Sequence, residues 1–322
     1  MKKTVALLLL LCLLAGLMTG CGAGSDASKT KKINVVTTIF PMYDWLREIA
    51  GDQVELTLLL DNGVDLHSYQ PNAQDLVKVS ACDLFVYVGG ESDKWVDDAL
   101  ASVQNPDRVT VNLLESLGDA VKEEELVEGM EAEEEEAEEG EEEAEYDEHV
   151  WLSLKNAAAL CRLLAEKLGE VDPQNAELYV KNMEAYTAKL LSLDAQYKAA
   201  VDGAKNKTLL FADRFPFRYM ADDYGLTYYA AFVGCSAETE ASFKTILFLA
   251  GKVDELGLGS VLQIASADGS IARTVIENTK TKDQQILTMN SLQSVTAQDV
   301  EAGASYLAIM TENLDTLQAA LG

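Results

Sequence analysis

The chain has 322 residues and a formal net charge of −29, with 54 aspartates and glutamates against 25 lysines and arginines. It contains only two histidines. The acidic balance argues against nucleic acid as a partner, because phosphate binding needs lysine and arginine. The roughly 290 residues that follow the N-terminal segment are enough for one large domain or two ordinary ones.

The first 20 residues have the pattern of a signal peptide. Lys2 and Lys3 precede the apolar run TVALLLLLCLLAGLMTG, which ends in small residues before Cys21. The tetrapeptide MTGC resembles the lipobox of bacterial lipoproteins, which implies that Cys21 is lipidated and anchors the chain to the outer face of the cytoplasmic membrane. An ordinary cleaved signal and an uncleaved anchor are the alternatives. We expect residues 21–32 to be a flexible tether.

Strands and helices alternate through the next part of the chain. The apolar, β-branched run INVVTTIF predicts a buried strand, after which Pro41 is placed to open a helix and Gly51 to close it. Asn72 is a candidate cap for a second helix. Further strands are predicted at 54–60, 83–90 and 107–115. The alternation predicts an N-terminal α/β lobe with a parallel sheet over residues 33–172.

An acidic run interrupts this lobe. Residues 122–148 carry 17 carboxylates and one lysine, a net charge of −16, and the rest of the chain carries −13. Such a block repels itself and stays solvated, so we expect a disordered loop. It could collect cations weakly or serve only solubility.

The second half begins with a long apolar stripe. Its members are spaced 4, 3, 4, 3, 4 and 4 residues apart, which predicts one helix of more than 25 residues within 173–202. They are Tyr179, Met183, Tyr186, Leu190, Leu193, Tyr197 and Val201.

A second α/β lobe is predicted over residues 203–322. Strands are expected at 208–212, 226–232, 260–266 and 284–289, and helices near 215–223, 237–255, 270–279 and 297–320. Ser236 is a candidate helix cap. The predicted fold is α/β: two lobes, each a parallel sheet flanked by helices, joined by one long helix.

Polar residues at predicted strand ends suggest a metal site in the cleft between the lobes. His67 lies beyond the end of a strand, His149 precedes a helix, and Asp213 and Asn290 each follow a strand. Nitrogen and oxygen donors of this kind suit Zn²⁺, or Mn²⁺ where carboxylates dominate. A solvated loop histidine is the alternative for each of the two.

Two further residues have open interpretations. Glu91 could orient a histidine or cap the helix that follows it. Cys235 could be a soft zinc ligand, although a small residue at a helix entry is the simpler interpretation. The absence of a Cys-x-x-Cys pair and of a disulfide pattern leaves the remaining cysteines as candidate buried thiols.

Three motifs resemble the solute-binding lipoproteins of zinc and manganese ABC importers, the ZnuA-like family. They are GVDLHSYQPNAQDLVKVSACDLFVYVGGESDKW, EHVWLSLKNA and FRYMADDYGL. The resemblance implies two lobes joined by a rigid helix, and a metal bound by His67 and His149. It implies capture of zinc, or alternatively manganese, by a monomer that delivers the ion to a membrane permease.

The chain departs from the family at the third ligand. The family pattern places His or Glu where this chain has Arg214, so Asp213 is the predicted substitute, and the fourth ligand falls near Asn290. A cell-envelope zinc hydrolase and a lipoprotein with a structural metal remain alternatives. Neither H-E-x-x-H nor G-x-S-x-G occurs to support an enzyme.

Overall fold

The computed structural model describes residues 32–102, 105–130, 145–236 and 240–322. The predicted signal peptide, Cys21 and the tether up to residue 31 lie outside this range. In the described part of the chain, none of the helices combines the length and the apolar character needed to cross a bilayer.

The N-terminal lobe is a four-stranded parallel sheet in the order β2-β1-β3-β4, counted over the described residues. Its strands are β1 (Ile33–Thr37), β2 (Val54–Leu58), β3 (Leu84–Tyr87) and β4 (Val109–Asn112). Its helices are α1 (Phe40–Ala50), α2 (Ala73–Ala81), α3 (Trp95–Ser102), α4 (Leu113–Leu117) and α5 (Leu154–Val171).

Local signals place the ends of these helices where the sequence predicts them. Pro41 lies in the first turn of α1, and Gly51 ends it with a φ of 55°. Asn72 caps α2 with a capping box, because its side chain accepts from the amide of Asp75 while Asp75 accepts from the amide of Asn72. All three predicted helix boundaries, at Pro41, Gly51 and Asn72, are confirmed.

The predicted long helix is confirmed as α6 (Ala176–Gly203), which follows a short 3-10 turn at Pro173–Asn175. Its 28 residues span about 42 Å at 1.5 Å per residue. Six members of the predicted stripe are buried, and Met183 is partly buried. The helix packs against α5 and α1 and reaches the C-terminal helix, so it supports elements of both lobes.

The C-terminal lobe repeats the topology with the order β6-β5-β7-β8 in the described chain. Its strands are β5 (Thr208–Arg214), β6 (Thr227–Phe232), β7 (Ser260–Ile264) and β8 (Gln285–Met289). Its helices are α7 (Arg218–Tyr224), α8 (Phe243–Leu256), α9 (Ser270–Glu277), α10 (Ala297–Glu301) and α11 (Tyr306–Leu321). The predicted fold class is confirmed.

Two helix predictions in this lobe are wrong in detail. The helix expected over 237–255 begins at Phe243, and its cap is Ser242 instead of Ser236. The helix expected over 297–320 is two helices, because Gly303 at a φ of 99° turns the chain between them. The second of these, α11, packs back onto α1 and joins the two lobes.

The two ends of the acidic run are ordered, unlike the disordered loop expected for the whole of 122–148. Glu123 and Tyr146 form an antiparallel bridge, and the amide of Asp147 donates to the Lys122 carbonyl at 2.9 Å. Lys122 pairs with Asp222 at 2.8 Å, and Arg218 pairs with Glu125. Backbone pairing and contacts with α7 therefore fix both ends, while residues 131–144 lie outside the described residues.

Candidate metal site

The two histidines meet in the cleft between the lobes. His67 lies in the loop after β2, in a 3-10 turn whose preceding residue, Asp65, accepts from the His67 amide at 3.1 Å. His149 lies directly before the 3-10 turn that leads to α5. Their Nε2 atoms are 3.2 Å apart, and their side chains are 5% and 0% exposed. The fold therefore brings together the Nε2 atoms of two histidines that are 82 positions apart in the sequence.

Each histidine is held through its other ring nitrogen. Nδ1 of His149 lies 3.0 Å from Asp147 Oδ1, and Nδ1 of His67 lies 2.8 Å from Ser92 Oγ. A carboxylate is an acceptor only, so Nδ1 of His149 carries the proton and its Nε2 presents a lone pair. If Nδ1 of His67 likewise carries the proton and donates it to Ser92 Oγ, Nε2 of His67 also presents a lone pair. This is the arrangement that metal-binding histidines use.

Burial keeps His67 neutral. Desolvation, and then the repulsion of a second positive charge at His149, lower the pKa of His67 to about 3, outweighing the attraction of Asp65. The neutral ring has a lone pair available for a cation at neutral pH.

Gln293 brings a third acceptor to the same point. This buried side chain follows β8, and its Oε1 lies 3.1 Å from His149 Nε2. Its amide nitrogen donates to Asp65 Oδ2 at 2.6 Å, which fixes the orientation of the amide group. Two imidazole lone pairs and one amide oxygen therefore face each other. A cation placed among them would satisfy all three.

Arg214 occupies the position where the family pattern has a ligand. It orients Gln293 indirectly, by pairing with Asp65. Its guanidinium pairs with Asp65 and donates to the Ser236 carbonyl at 3.1 Å. Burial raises the pKa of Asp65, but the positive charge of Arg214 and the hydrogen bonds from Arg214 and Gln293 lower it, and the net pKa is lowered. The ionised Asp65 in turn orients Gln293. Arg214 thus acts by orienting neighbours, since a guanidinium cannot coordinate a cation.

Cys235 lies beside the histidine pair. Ligand atoms of His67, His149 and Cys235 all fall within 4.8 Å of one another. The cysteine follows β6 and is partly exposed, and its backbone amide donates to Glu124 Oε1 at 3.0 Å. Desolvation, followed by the charges of Asp147, Glu124 and Glu148, raises the pKa of its thiol well above the ordinary value.

Asp213 and Asn290 are the two ligands predicted for the second lobe. In the structure, both side chains accept hydrogen bonds from backbone amides. Asp213 accepts from the backbone amides of Ile264 and Arg214, and its burial raises its pKa. Oδ1 of Asn290 accepts from the Leu292 amide at 2.8 Å. Both side chains satisfy backbone donors at strand ends, and Asp213 lies outside the group around His67, His149 and Cys235.

Glu91 also lies outside the histidine contacts. Its side chain is 60% exposed and pairs with Lys94. The side chain that contacts and orients a histidine is that of its neighbour Ser92, whose Oγ lies 2.8 Å from His67 Nδ1. Glu148 supports the same turn, since its Oε1 accepts from the Ser92 amide at 2.9 Å. Its Oε2 lies 3.6 Å from His67 Nδ1, and burial raises its pKa to about 7.

Gly234 leaves room for the His149 ring. A Cβ at this position would lie 2.9 Å from the Phe215 carbonyl oxygen and 3.2 Å from His149 Nδ1. We expect Gly234→Ala to weaken metal binding by about 10-fold to 100-fold, the range for lost support of a ligand. Competition against a chelator would measure the change.

Gly251→Ala is the matched control for this prediction. A Cβ there, in the middle of α8, meets no atom within 4 Å. We expect unchanged metal affinity, and a stability gain of about 0.5–1 kcal/mol from the better helix former. Equal affinities in the two variants would contradict the packing role of Gly234.

A sequence profile described as "ZnuA: Zinc-uptake complex component A periplasmic" matches residues 35–320. The chain belongs to this family. One ZnuA-family relative, the "High-affinity zinc uptake system protein ZnuA" of Bacillus subtilis, is 32% identical over 311 residues, covering 95% of this chain and 94% of the relative.

A second relative is longer than this chain. The "Zinc-binding lipoprotein AdcA" of Streptococcus pneumoniae is 32% identical over 320 residues, which cover 99% of this chain and 61% of AdcA. The chain therefore spans about three-fifths of that relative. The crystal structure of the Zn(II)-bound ZnuA-like domain of the same protein matches with a TM-score of 0.71 at 29% identity, covering 90% of this chain and 99% of that one.

Proposed function

We propose that this chain is the extracytoplasmic solute-binding protein of an ABC importer, and that it captures Zn²⁺ in the cleft and delivers it to a membrane permease. The observation that carries the proposal is the pair of buried Nε2 atoms, 3.2 Å apart, with Gln293 Oε1 beside them. The Nδ1 contacts of both histidines direct their lone pairs to this point. His67 and His149 coordinate the ion, and Gln293 supplies an oxygen.

Zinc suits this donor set better than manganese. Imidazole nitrogen is a preferred ligand of zinc, whereas manganese favours carboxylate and carbonyl oxygen. Asp147, the carboxylate that contacts His149, is engaged with the amide and Nδ1 of that histidine. The names of the relatives, which refer to zinc binding and zinc uptake, support the same choice.

The protein acts by reversible binding and not as an enzyme, and it works as a monomer attached to the outer face of the membrane by lipid on Cys21. Family membership supports the binding role. The MTGC sequence and the lipoprotein name of the streptococcal relative support the lipid anchor. The permease is the partner to which a family member of this kind would deliver its ion.

Calorimetric titration of the metal-free protein with Zn²⁺ and Mn²⁺ tests the proposal. We expect one tight zinc site per chain, with an affinity for zinc at least about 100-fold above that for manganese, or about 2.8 kcal/mol. Deleting residues 131–144 should leave this site intact, because the acidic run supplies only weak binding. Weak binding of several ions, abolished by the deletion, would overturn the proposal.

A further inference from the structure

The C-terminal lobe places a thiol where the two histidines converge. Cys235 belongs to the group of ligand atoms that lie within 4.8 Å of one another. Among the described residues, this is the one group of three or more His, Cys, Asp and Glu side chains with such spacing. The loop after β6 delivers it, and the buried Gly234 allows that loop to approach His149.

We infer that Cys235 is a metal ligand, and that the site takes thiophilic divalent cations through two imidazoles, one thiolate and one amide oxygen. The inference rests on the proposed function and specifies its ligand chemistry. The four donor atoms are His67 Nε2, His149 Nε2, Cys235 Sγ and Gln293 Oε1. Four donors of these types meet the tetrahedral preference of zinc.

A second observation independent of the cysteine also points to a cation at this place. Glu148 is 2% exposed in its side chain, and its Oε2 has no hydrogen-bond partner among the described residues. A buried carboxylate oxygen without a partner is costly in the absence of a nearby positive charge. A divalent ion on the far side of the His67 ring supplies that charge.

Arg214 places a side chain that cannot coordinate a cation at the end of β5. The family pattern provides its third ligand at this position, and here the guanidinium is held by Asp65 and the Ser236 carbonyl. Position 214 therefore offers no donor, and an anionic donor from the C-terminal lobe would have to come from another loop. Cys235 is the residue of that lobe whose ligand atom lies with the two histidines.

Coordination by Cys235 releases one proton. The sulfur–metal bond forms as the S–H bond breaks, since a coordinating thiol is deprotonated outright. The proton leaves to solvent, and the dication offsets the repulsion between the thiolate and the carboxylates near it. Neither an oxidant nor a reductant takes part.

Sulfur coordination is visible spectroscopically, so the test does not depend on affinity alone. We would load the reduced protein with Co²⁺ as a stand-in for Zn²⁺ and record the sulfur-to-cobalt charge-transfer absorption. X-ray absorption of the zinc-loaded protein would be recorded in parallel. We expect the charge-transfer band in the wild type, with zinc–sulfur scattering at about 2.3 Å.

Cys235→Ser and Cys235→Ala should lose the band and lower the zinc affinity by more than about 100-fold, beyond the range for an outer-shell partner. Their cadmium affinity should fall further than their zinc affinity, because cadmium depends more on sulfur. Cys82→Ser is the matched control. Cys82 is buried in the N-terminal lobe, where its Sγ donates to the Val79 carbonyl, so this variant should keep the band.

The outcomes separate the inference from the proposed function. A tight single site that depends on both histidines, without a sulfur signal in the wild type, overturns the role of Cys235 and leaves zinc capture standing. Absence of any tight site in the folded wild type overturns both. A sulfur signal that persists in Cys235→Ser and disappears in Cys82→Ser would identify Cys82 of the N-terminal lobe as the sulfur ligand. That result would also overturn the inference.

Discussion

His149→Ala is expected to lower the zinc affinity by more than about 100-fold, because loss of an outer-shell partner alone costs 10-fold to 100-fold. The substitution removes the Nε2 atom that lies 3.2 Å from His67 Nε2 and 3.1 Å from Gln293 Oε1. It also leaves the buried Asp147 carboxylate without its ring partner, so that only the amide of residue 149 still donates to its Oδ1. His67→Ala should have a comparable effect. Competition with a chelator of known affinity would measure both.

Asp213→Asn is the control for these two variants. The sequence makes Asp213 a ligand candidate, whereas in the structure its carboxylate accepts from two backbone amides. Asparagine keeps one acceptor oxygen, so we expect a lower thermal midpoint and a zinc affinity within about 3-fold of the wild type, or about 0.65 kcal/mol. If Asp213→Asn loses zinc while His149→Ala retains it, the assignment of ligands is wrong.

Trp45→Ala is expected to lower the free energy of unfolding by about 3–5 kcal/mol, the usual cost of truncating a buried aromatic side chain. Trp45 is fully buried on α1. Its ring packs edge-to-face on Tyr306 of the C-terminal helix, with centroids 5.3 Å apart. The cavity would therefore open where α11 joins the N-terminal lobe. Urea unfolding of the metal-free protein would measure the loss.

Phe243→Ala is the matched aromatic control. Phe243 begins α8 and is 66% exposed, so its truncation should change the unfolding free energy by no more than about 0.5 kcal/mol. Near-equal losses in the two variants would show that α11 does not stabilise the N-terminal lobe in this way. The folded fraction of Trp45→Ala should bind zinc with unchanged affinity, since the Trp45 ring packs on Tyr306 and is not one of the proposed ligands.

The short-range features of the fold could be predicted from the sequence because their causes are local. The Asn72 capping box needs only four residues, and the stripe on α6 repeats at the helical period. The interruption at Gly303 depends on its left-handed backbone conformation, with a φ of 99°, which glycine allows but does not require. The cap is Ser242 and not Ser236, because residues 240–242 are not helical and the Ser242 hydroxyl accepts from the Thr245 amide.

The site could be predicted in part. His67 after a strand and His149 before a helix are both visible in the sequence, and the family motifs point to the same pair. Gln293 and Ser92 were missed because nothing in their local sequence distinguishes them from other loop residues. Their contacts depend on Asp65 and His67, which lie far away in the chain. Whether Asp213 or Cys235 lies beside the histidines depends on how β5 and β6 end, which only the tertiary structure shows.

The burial of His149 has different consequences for the affinity of a bound ion and for the rate at which the ion is released. The ring is 0% exposed, and its loop is tied to the C-terminal lobe: Trp151 donates to the Ser291 carbonyl at 2.7 Å, and Tyr219 donates to the Asp147 carbonyl at 2.7 Å. Neither Trp151 nor Tyr219 is among the proposed ligands, yet both hydrogen bonds hold the loop of His149 against the C-terminal lobe. Under the proposed function, we expect the donor atoms to set the affinity for the ion, and these two hydrogen bonds to lengthen the lifetime of the bound state. A permease that pulls this loop from the second lobe would shorten that lifetime without altering a single ligand.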